Sequence, residues 1–269
     1  MDPLTTTFQS LKRAGRAALI PFVIGGDPDL ATTGELLLTL QDAGADVIEV
    51  GLPFSDPLAD GPVIQAGSAR ALARGATPAR VLSAVARVRA RLHVPVVALS
   101  YWNPILRFGG SEPARAVAAF VQHALASGVS GVIVPDLPVE EAGPLREAAR
   151  GRLATIFLTA PTSPSARLRM IARASTGFIY YVSVTGTTGV RRALAPTLVD
   201  GVRQLRLVTT KPICVGFGIS TVAQAARVAR VADGVIVGSA LVRTIAEARS
   251  RADARRRASR FLRRLRLVV

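Results

Sequence analysis

Apolar residues recur along this chain in two alternating patterns. Short runs rich in Val, Ile, Leu and Phe alternate with longer stretches in which apolar positions return every three or four residues. A short apolar run bounded by turn residues suits a strand covered on both faces, and the longer period suits a helix with one buried stripe. Strands are predicted over 18–23, 47–50, 95–99, 131–134, 154–158, 178–182, 212–215 and 234–237. Helices are predicted over 6–13, 30–43, 78–91, 113–127, 140–150, 165–174, 196–207 and 221–231, with one long helix closing the chain. Eight strands each followed by a helix, with an extra helix in front, is the pattern of an α/β (β/α)8 TIM barrel. A doubly wound open sheet is the other arrangement considered, but eight repeats at this spacing favour closure.

The 269 residues are a normal length for one such barrel, so a single domain spanning 1–269 is expected. A hydrophobic content of 49% supplies a large core. No apolar run approaches the roughly 20 residues of a membrane helix, and the start Met1-Asp2-Pro3-Leu4-Thr5-Thr6 lacks the basic and apolar regions of a signal peptide. One cysteine, Cys214, excludes an internal disulfide, sits in an apolar run and is expected to be a buried thiol. These features favour a cytoplasmic protein. His93 and His123 stand alone, and no metal site is visible.

The net charge of +16 raises the question of nucleic acid or an anionic membrane. Half of it lies in Arg249 to Val269, which holds nine arginines against one aspartate. There Ala254, Ala258, Phe261, Leu262 and Leu265 follow helical spacing and leave the arginines on the opposite face. Only Lys12 and Lys211 stand against 32 arginines, a skew that points to compositional bias, and 5% aromatic content offers no platform for stacking bases. No specific nucleic-acid partner and no membrane partner is expected.

In such barrels chemistry sits at the C-terminal ends of the strands. Glu49 leaves the second strand there, where a buried charge is costly unless paired or used. Asp56 and Asp60 follow in a loop stiffened by Pro53, Pro57, Gly61 and Pro62. Two carboxylates in different environments can hold different pKa values, as acid-base chemistry requires, although a paired structural acid and two turn caps explain the same residues. Gly216-Phe217-Gly218 after the seventh strand and Gly238-Ser239 after the eighth read as an anion site of backbone N–H groups, or as tight turns. The run 186–189, with two threonines and two glycines, reads as a lid closing through Thr188 onto Asp60, or as an ordinary loop. Tyr180 reads equally as strand core or site residue.

The run from Glu49 to Gly61, continuing through Val63-Ile64-Gln65, resembles the signature of the tryptophan synthase alpha chain family. Further similar stretches follow in chain order: Pro21-Phe22-Val23 with Gly26-Asp27-Pro28, Tyr101 to Leu106, Val134 to Pro138, Ala160-Pro161-Thr162, Tyr180 to Gly189, Val215 to Ser220 and Val237 to Ala240. Ile24 departs from the family, which usually has threonine there. The resemblance implies retro-aldol cleavage of indole-3-glycerol phosphate to indole and glyceraldehyde 3-phosphate, a lyase step of tryptophan biosynthesis. It implies Glu49 as the acid-base group, Asp60 as the anion facing the indole N–H, and Tyr180 as the active-site tyrosine. Phe22, Leu99 and Phe217 are expected to line an apolar indole pocket, with Thr188, Gly189, Gly218, Gly238 and Ser239 as the remaining substrate contacts. No metal or redox cofactor is implied. The family assembles with a pyridoxal-phosphate beta chain as an α2β2 heterotetramer, and the loop Pro53–Pro62 communicates between them. A stand-alone indole-releasing lyase and a noncatalytic binding or allosteric barrel are the alternatives; retention of Glu49, Asp60, Tyr180 and both phosphate loops argues against the latter.

Overall fold

A computed structural model describes residues 2–182, 196–216 and 218–269. The chain opens with α1 (Pro3–Arg13), β1 (Ala18–Ile24), α2 (Leu30–Asp42), β2 (Ile48–Gly51), α3 (Pro62–Ala73) and α4 (Pro78–Val88). It continues with β3 (Val96–Leu99), α5 (Trp102–Leu106), α6 (Pro113–Ala126), β4 (Val129–Ile133), α7 (Gly143–Ala149), β5 (Ala154–Ile156) and β6 (Leu158–Thr159). Then come α8 (Ser165–Ala174), β7 (Ile179–Val182), α9 (Pro196–Arg206), β8 (Ile213–Gly216), α10 (Val222–Ala229), β9 (Gly234–Val237), α11 (Ser239–Ala246) and α12 (Arg251–Arg266).

The strands pair in parallel in the order β5-β4-β3-β2-β1-β9-β8-β7-β6. The two ends of that order are consecutive in the chain. β5 pairs with β4, β6 pairs with β7, and between them the Tyr180 N–H donates to the Phe157 carbonyl at 3.1 Å. One bent strand therefore joins both edges, and the sheet closes into the expected eight-position barrel. The expected single strand over 154–158 is two segments because its first half faces one neighbour and its second half the other.

Closure sorts the side chains into two cores. Alternate strand residues, including Ala18, Ile20, Val47, Val97, Ile133, Ala154, Ile156, Tyr180, Cys214 and Ile236, pack together inside the ring. Leu4, Phe8 and Leu11 of α1 join this inner cluster, with the rings of Phe8 and Phe178 5.7 Å apart. The leading helix is thus a plug, and it leaves the opposite, C-terminal mouth for chemistry. The other strand residues meet the surrounding helices in a larger outer core.

Several sequence-based boundaries are corrected. The segment expected to be loop between the second strand and residue 78 contains α3, begun by Pro62 at its first position, where proline needs no hydrogen-bond partner for its nitrogen. The helix expected over 78–91 ends at Val88 and tightens into a 3-10 turn, Arg89–Arg91. The helix expected over 140–150 covers only Gly143–Ala149, its end set by Arg150 in the left-handed region at φ 44°. The long terminal helix is two helices, because Ser250 restarts the chain by accepting from the Asp253 N–H at 3.1 Å.

The arginines of α12 are not only a solvated face. Arg255 pairs with Glu35, Arg263 donates to the Asp42 carbonyl, Arg266 pairs with Asp46 at 2.6 Å, and Arg251 pairs with Asp29, the residue capping α2. These contacts fasten the last helix across the first βα unit. Among the described residues no helix is long and apolar enough to cross a membrane.

Candidate active site

The barrel interior ends at its C-terminal mouth in polar residues. Glu49 lies in β2, in register with Phe22 on β1 and Val97 on β3, and is 1% exposed. Its Oε2 has no hydrogen-bond partner among the described residues. Burial, reinforced by the nearby charge of Asp60, pushes its carboxyl up to about 8. A carboxyl in that state is a proton donor at neutral pH.

Asp60 arrives from the loop after β2. Its N–H donates to the Pro57 carbonyl at 3.0 Å, closing a turn, and the Gln65 side chain, from the first turn of α3, donates to the Asp60 carbonyl at 2.9 Å. Burial pushes the Asp60 carboxyl up to about 6, while the hydrogen bond from the Tyr101 hydroxyl at 2.9 Å acts in the opposite sense. Tyr101 was not among the expected site residues. It follows β3 and is 3% exposed, and its hydroxyl also accepts from the Ala59 N–H at 3.0 Å, so it grips the loop on both sides of Asp60's peptide bond. The sequence signal was present in the run beginning at Tyr101, but only the fold brings that run against a loop 41 residues away. Asp56, the other acid of the loop, is exposed and accepts from Ser55, so it stays outside the site.

Tyr180 stands on β7 with its ring buried, and burial first, then the charges of Glu49 and Asp60, raises its pKa well above the usual phenol value. Gly216 has a specific reason to be glycine: a Cβ there would lie 2.3 Å from the Tyr180 hydroxyl. The same argument fixes Gly51, where a Cβ would come within 2.7 Å of the Phe22 ring. Phe22 is buried, and Leu99, at the end of β3, is half-buried and in register with Gly51. Phe22 is thus in register with Glu49, and Leu99 lies one strand further round the barrel. Cys214 is wholly buried, as anticipated, with its thiol pKa pushed well up by burial.

On the β8–β9 side, Gly218 adopts the left-handed conformation at φ 75°, and Gly238 precedes α11, whose N-terminus carries no side-chain cap. Ser239 is the first residue of that helix. A Cβ built on Gly238 would meet only Ile64 and Phe22, none nearer than 3.6 Å, so bulk alone does not forbid a side chain there. Thr188, Gly189, the loop 186–189 read as a lid, and Phe217 lie outside the described residues. Ile24, the departure from the family pattern, is buried at the end of β1 with its methyl end against Gly67 of α3, where it acts by packing. Among the described residues no group of three His, Cys, Asp or Glu is placed to hold a metal ion.

The family model described as tryptophan synthase alpha chain matches residues 8–266. The chain belongs to the tryptophan synthase alpha chain family. Tryptophan synthase alpha chain from Gloeobacter violaceus is 52% identical over 247 residues, covering 91% of this chain and 87% of that protein. That of a Picosynechococcus strain is 50% identical over 248 residues, 91% of each. Among solved structures, the alpha subunit from Legionella pneumophila superposes with a TM-score of 0.88 at 36% identity, covering 100% of this chain and 98% of that one. Tryptophan synthase from M. tuberculosis in an aminoacrylate-bound form gives a TM-score of 0.87 at 34% identity, with 100% of both chains covered. For a member of this family, the residues gathered at the mouth are the natural candidates for the chemistry.

The buried carboxyl of Glu49 has a consequence for stability. A carboxyl whose folded pKa is raised holds its proton more tightly in the fold than in the unfolded chain, so stability falls as pH rises from about 4.5 to about 8. Glu49→Gln removes that cost. The variant is expected to be more stable than the parent by about 1–3 kcal/mol at pH 8, with the gap closing below pH 4.5. Urea unfolding at both pH values measures it; an equal gap at both would show that ionisation of Glu49 is not the cause.

Proposed function

We propose that Glu49, Asp60 and Tyr180 carry out the reaction of the family to which the chain belongs. That reaction is the carbon–carbon lyase step of tryptophan biosynthesis, in which indole-3-glycerol phosphate is cleaved to indole and glyceraldehyde 3-phosphate. The observation that carries the assignment is a pair of carboxyls at one barrel mouth, one raised to about 8 and the other to about 6. Between those values one is protonated while the other is an anion, which is the division of labour the cleavage needs.

The obstacle to this cleavage is that an intact indole ring is a poor carbon leaving group. Protonation at C3 converts it into an iminium-like indolenine, and the bond from C3 to the glycerol chain can then break with its electrons returning to the ring. Glu49 as the acid supplies the C3 proton. The resulting carboxylate then accepts the proton of the hydroxyl next to the breaking bond as that carbon becomes an aldehyde, which restores Glu49. Asp60 as the anion accepts from the indole N–H, where positive charge develops, and its stabilisation grows as the ring is protonated. Tyr180 shapes the floor between Gly216 and the carboxylates. Phe22 and Leu99 are the apolar wall for indole, and Thr188, Gly189 and Phe217 remain proposed substrate contacts. Gly218, Gly238, Ser239 and the N-terminus of α11 are the proposed phosphate site, since a helix N-terminus favours an anion.

These steps need only the chain's own acid-base groups, so no cofactor is assigned. The whole chain is proposed to act as one barrel domain in the cytoplasm. A beta-chain partner and a phosphorylated substrate follow from family membership, and the α2β2 assembly is the form proposed, with the loop Pro53–Pro62 on the partner's side.

Glu49→Gln keeps the side chain's shape and removes its proton, so indole release is expected to fall by about 100-fold or more. Turnover near the parent value in the folded variant would overturn the assignment. Tyr101→Phe removes the hydrogen bond that holds the Asp60 pKa down, so the acid limb of kcat/KM, set near pH 6, is expected to move to higher pH. An unmoved limb would mean that Asp60 does not control it. At the phosphate site the two substitutions of Gly238 should separate. Gly238→Ala meets only ordinary contacts and should change substrate KM little, whereas Gly238→Asp sets a carboxylate against the phosphate and should raise KM by about 10-fold or more. Equal effects would point to crowding in place of charge.

A further inference from the structure

The loop between β1 and α2 holds an acid that the proposed chemistry does not use. Asp27 is 4% exposed and is gripped through both carboxyl oxygens by one guanidinium: Arg70 Nε donates to Oδ1 at 3.0 Å and a terminal nitrogen donates to Oδ2 at 2.6 Å. The pairing raises the Arg70 pKa, and the planar fork fixes direction as well as distance. Arg70 lies on α3, the helix that starts two residues after Asp60. One turn further along, Arg74, which caps the C-terminus of α3, donates to the Pro28 carbonyl, so Arg70 and Arg74 hold adjacent residues of the β1–α2 loop. The packing around the pair leaves no slack. A Cβ at Gly67 would lie 2.3 Å from Ile24 Cδ1 and 3.2 Å from the Asp27 carboxylate, and one at Gly26 would lie 2.5 Å from Ala76.

The start of α3 is tied to the catalytic mouth at two points. Gln65 holds the Asp60 carbonyl, and Ile64 lies beside Phe22 against Gly238. A shift or rotation of α3 would therefore move Asp60 and the indole wall together. Tyr101 holds the Ala59 N–H and the Asp60 carboxylate from the β3 side, so Asp60 is set between Tyr101 and the start of α3.

We infer that Arg70, through its bidentate pair with Asp27, is a positioning residue that sets where Asp60 stands for the reaction. The inference rests on the role of Asp60 proposed above. The orientation of α3, fixed from the β1–α2 loop, is then part of the catalytic geometry, and misplacement by about 1 Å is enough to weaken an interaction made in the transition state.

The test is a double-mutant cycle on the purified full chain, read by single-turnover indole release so that slow reactions can be followed. Arg70→Gln is expected to lower kcat by about 10-fold while KM changes by less than about 3-fold, and Arg70→Lys, which keeps one charged donor, should recover part of the loss. In an Asp60→Asn background the same Arg70→Gln change should cost less than about 2-fold, because the group it positions has already lost its charge. A full 10-fold loss in both backgrounds, or unchanged kcat in folded Arg70→Gln, would overturn the inference. If Arg70→Gln fails to unfold cooperatively, Asp27→Asn, which retains the volume at that site, takes its place in the cycle with the same two outcomes. Parent-like turnover in Asp60→Asn alone would instead mark the failure of the proposed active site, and that arm is read separately.

Discussion

A carboxylate buried at the mouth of a closed barrel is the constraint on which the rest of this structure depends. Taking Glu49 out of water disfavours its charged form, and the fold offers its Oε2 no hydrogen bond among the described residues to offset that. Such a residue persists only where the surrounding structure is stable enough to hold it. Here that support comes from a fully closed ring of strands, plugged at the other end by α1 and wrapped by an outer layer of helices. The bend at Phe157 is as much a part of the site as Glu49, because without it the barrel would have two edges and water would reach the interior.

The environment then separates two chemically similar groups. Glu49 is wholly buried beside Asp60 and is raised furthest. Asp60 lies nearer solvent and accepts from Tyr101, so its rise is smaller. Their mutual repulsion acts in the same direction as burial at Glu49, which widens the gap between them. One of two neighbouring acids is thus kept protonated by burial and by the charge of the other. The phenols of Tyr101 and Tyr180 suit this arrangement, since their own pKa values are raised and they remain donors across the working range.

Much of this was legible in the sequence because it is written in local patterns. Apolar runs of four to six residues marked the strands, helical spacing marked most of the helices, and the acids and glycines fell at strand ends. What escaped has identifiable causes. The helix Pro62–Ala73 was hidden because its run of small residues, with Gly67 and Ser68 turned inward, lacks a strong apolar stripe. Those small residues are there because β1 and its loop pack closely against them, a fact of tertiary contact that spacing does not carry. Tyr101 and Arg70 escaped for the same reason, as their partners lie 41 and 43 residues away. The basic tail was read as a solvated face because charge pattern alone does not disclose that Glu35, Asp42 and Asp46 stand opposite it.

These contacts also explain why so arginine-rich a helix belongs to the fold. An isolated exposed ion pair contributes little, on the order of 0–1 kcal/mol, so no single rung between α12 and α2 accounts for the docking. The buried residues Ala254, Ala258, Leu262 and Leu265 supply the attraction, and the arginines select the register by offering their forks to fixed carbonyls and carboxylates. The topmost rung joins Arg251 to Asp29, two residues beyond Asp27. The β1–α2 loop is thereby held from one side by the last helix and from the other by α3. Fastening the first βα unit to the final helix joins the two ends of the barrel sequence beside the loop that orients Asp60, so the closure that buries Glu49 also steadies its partner.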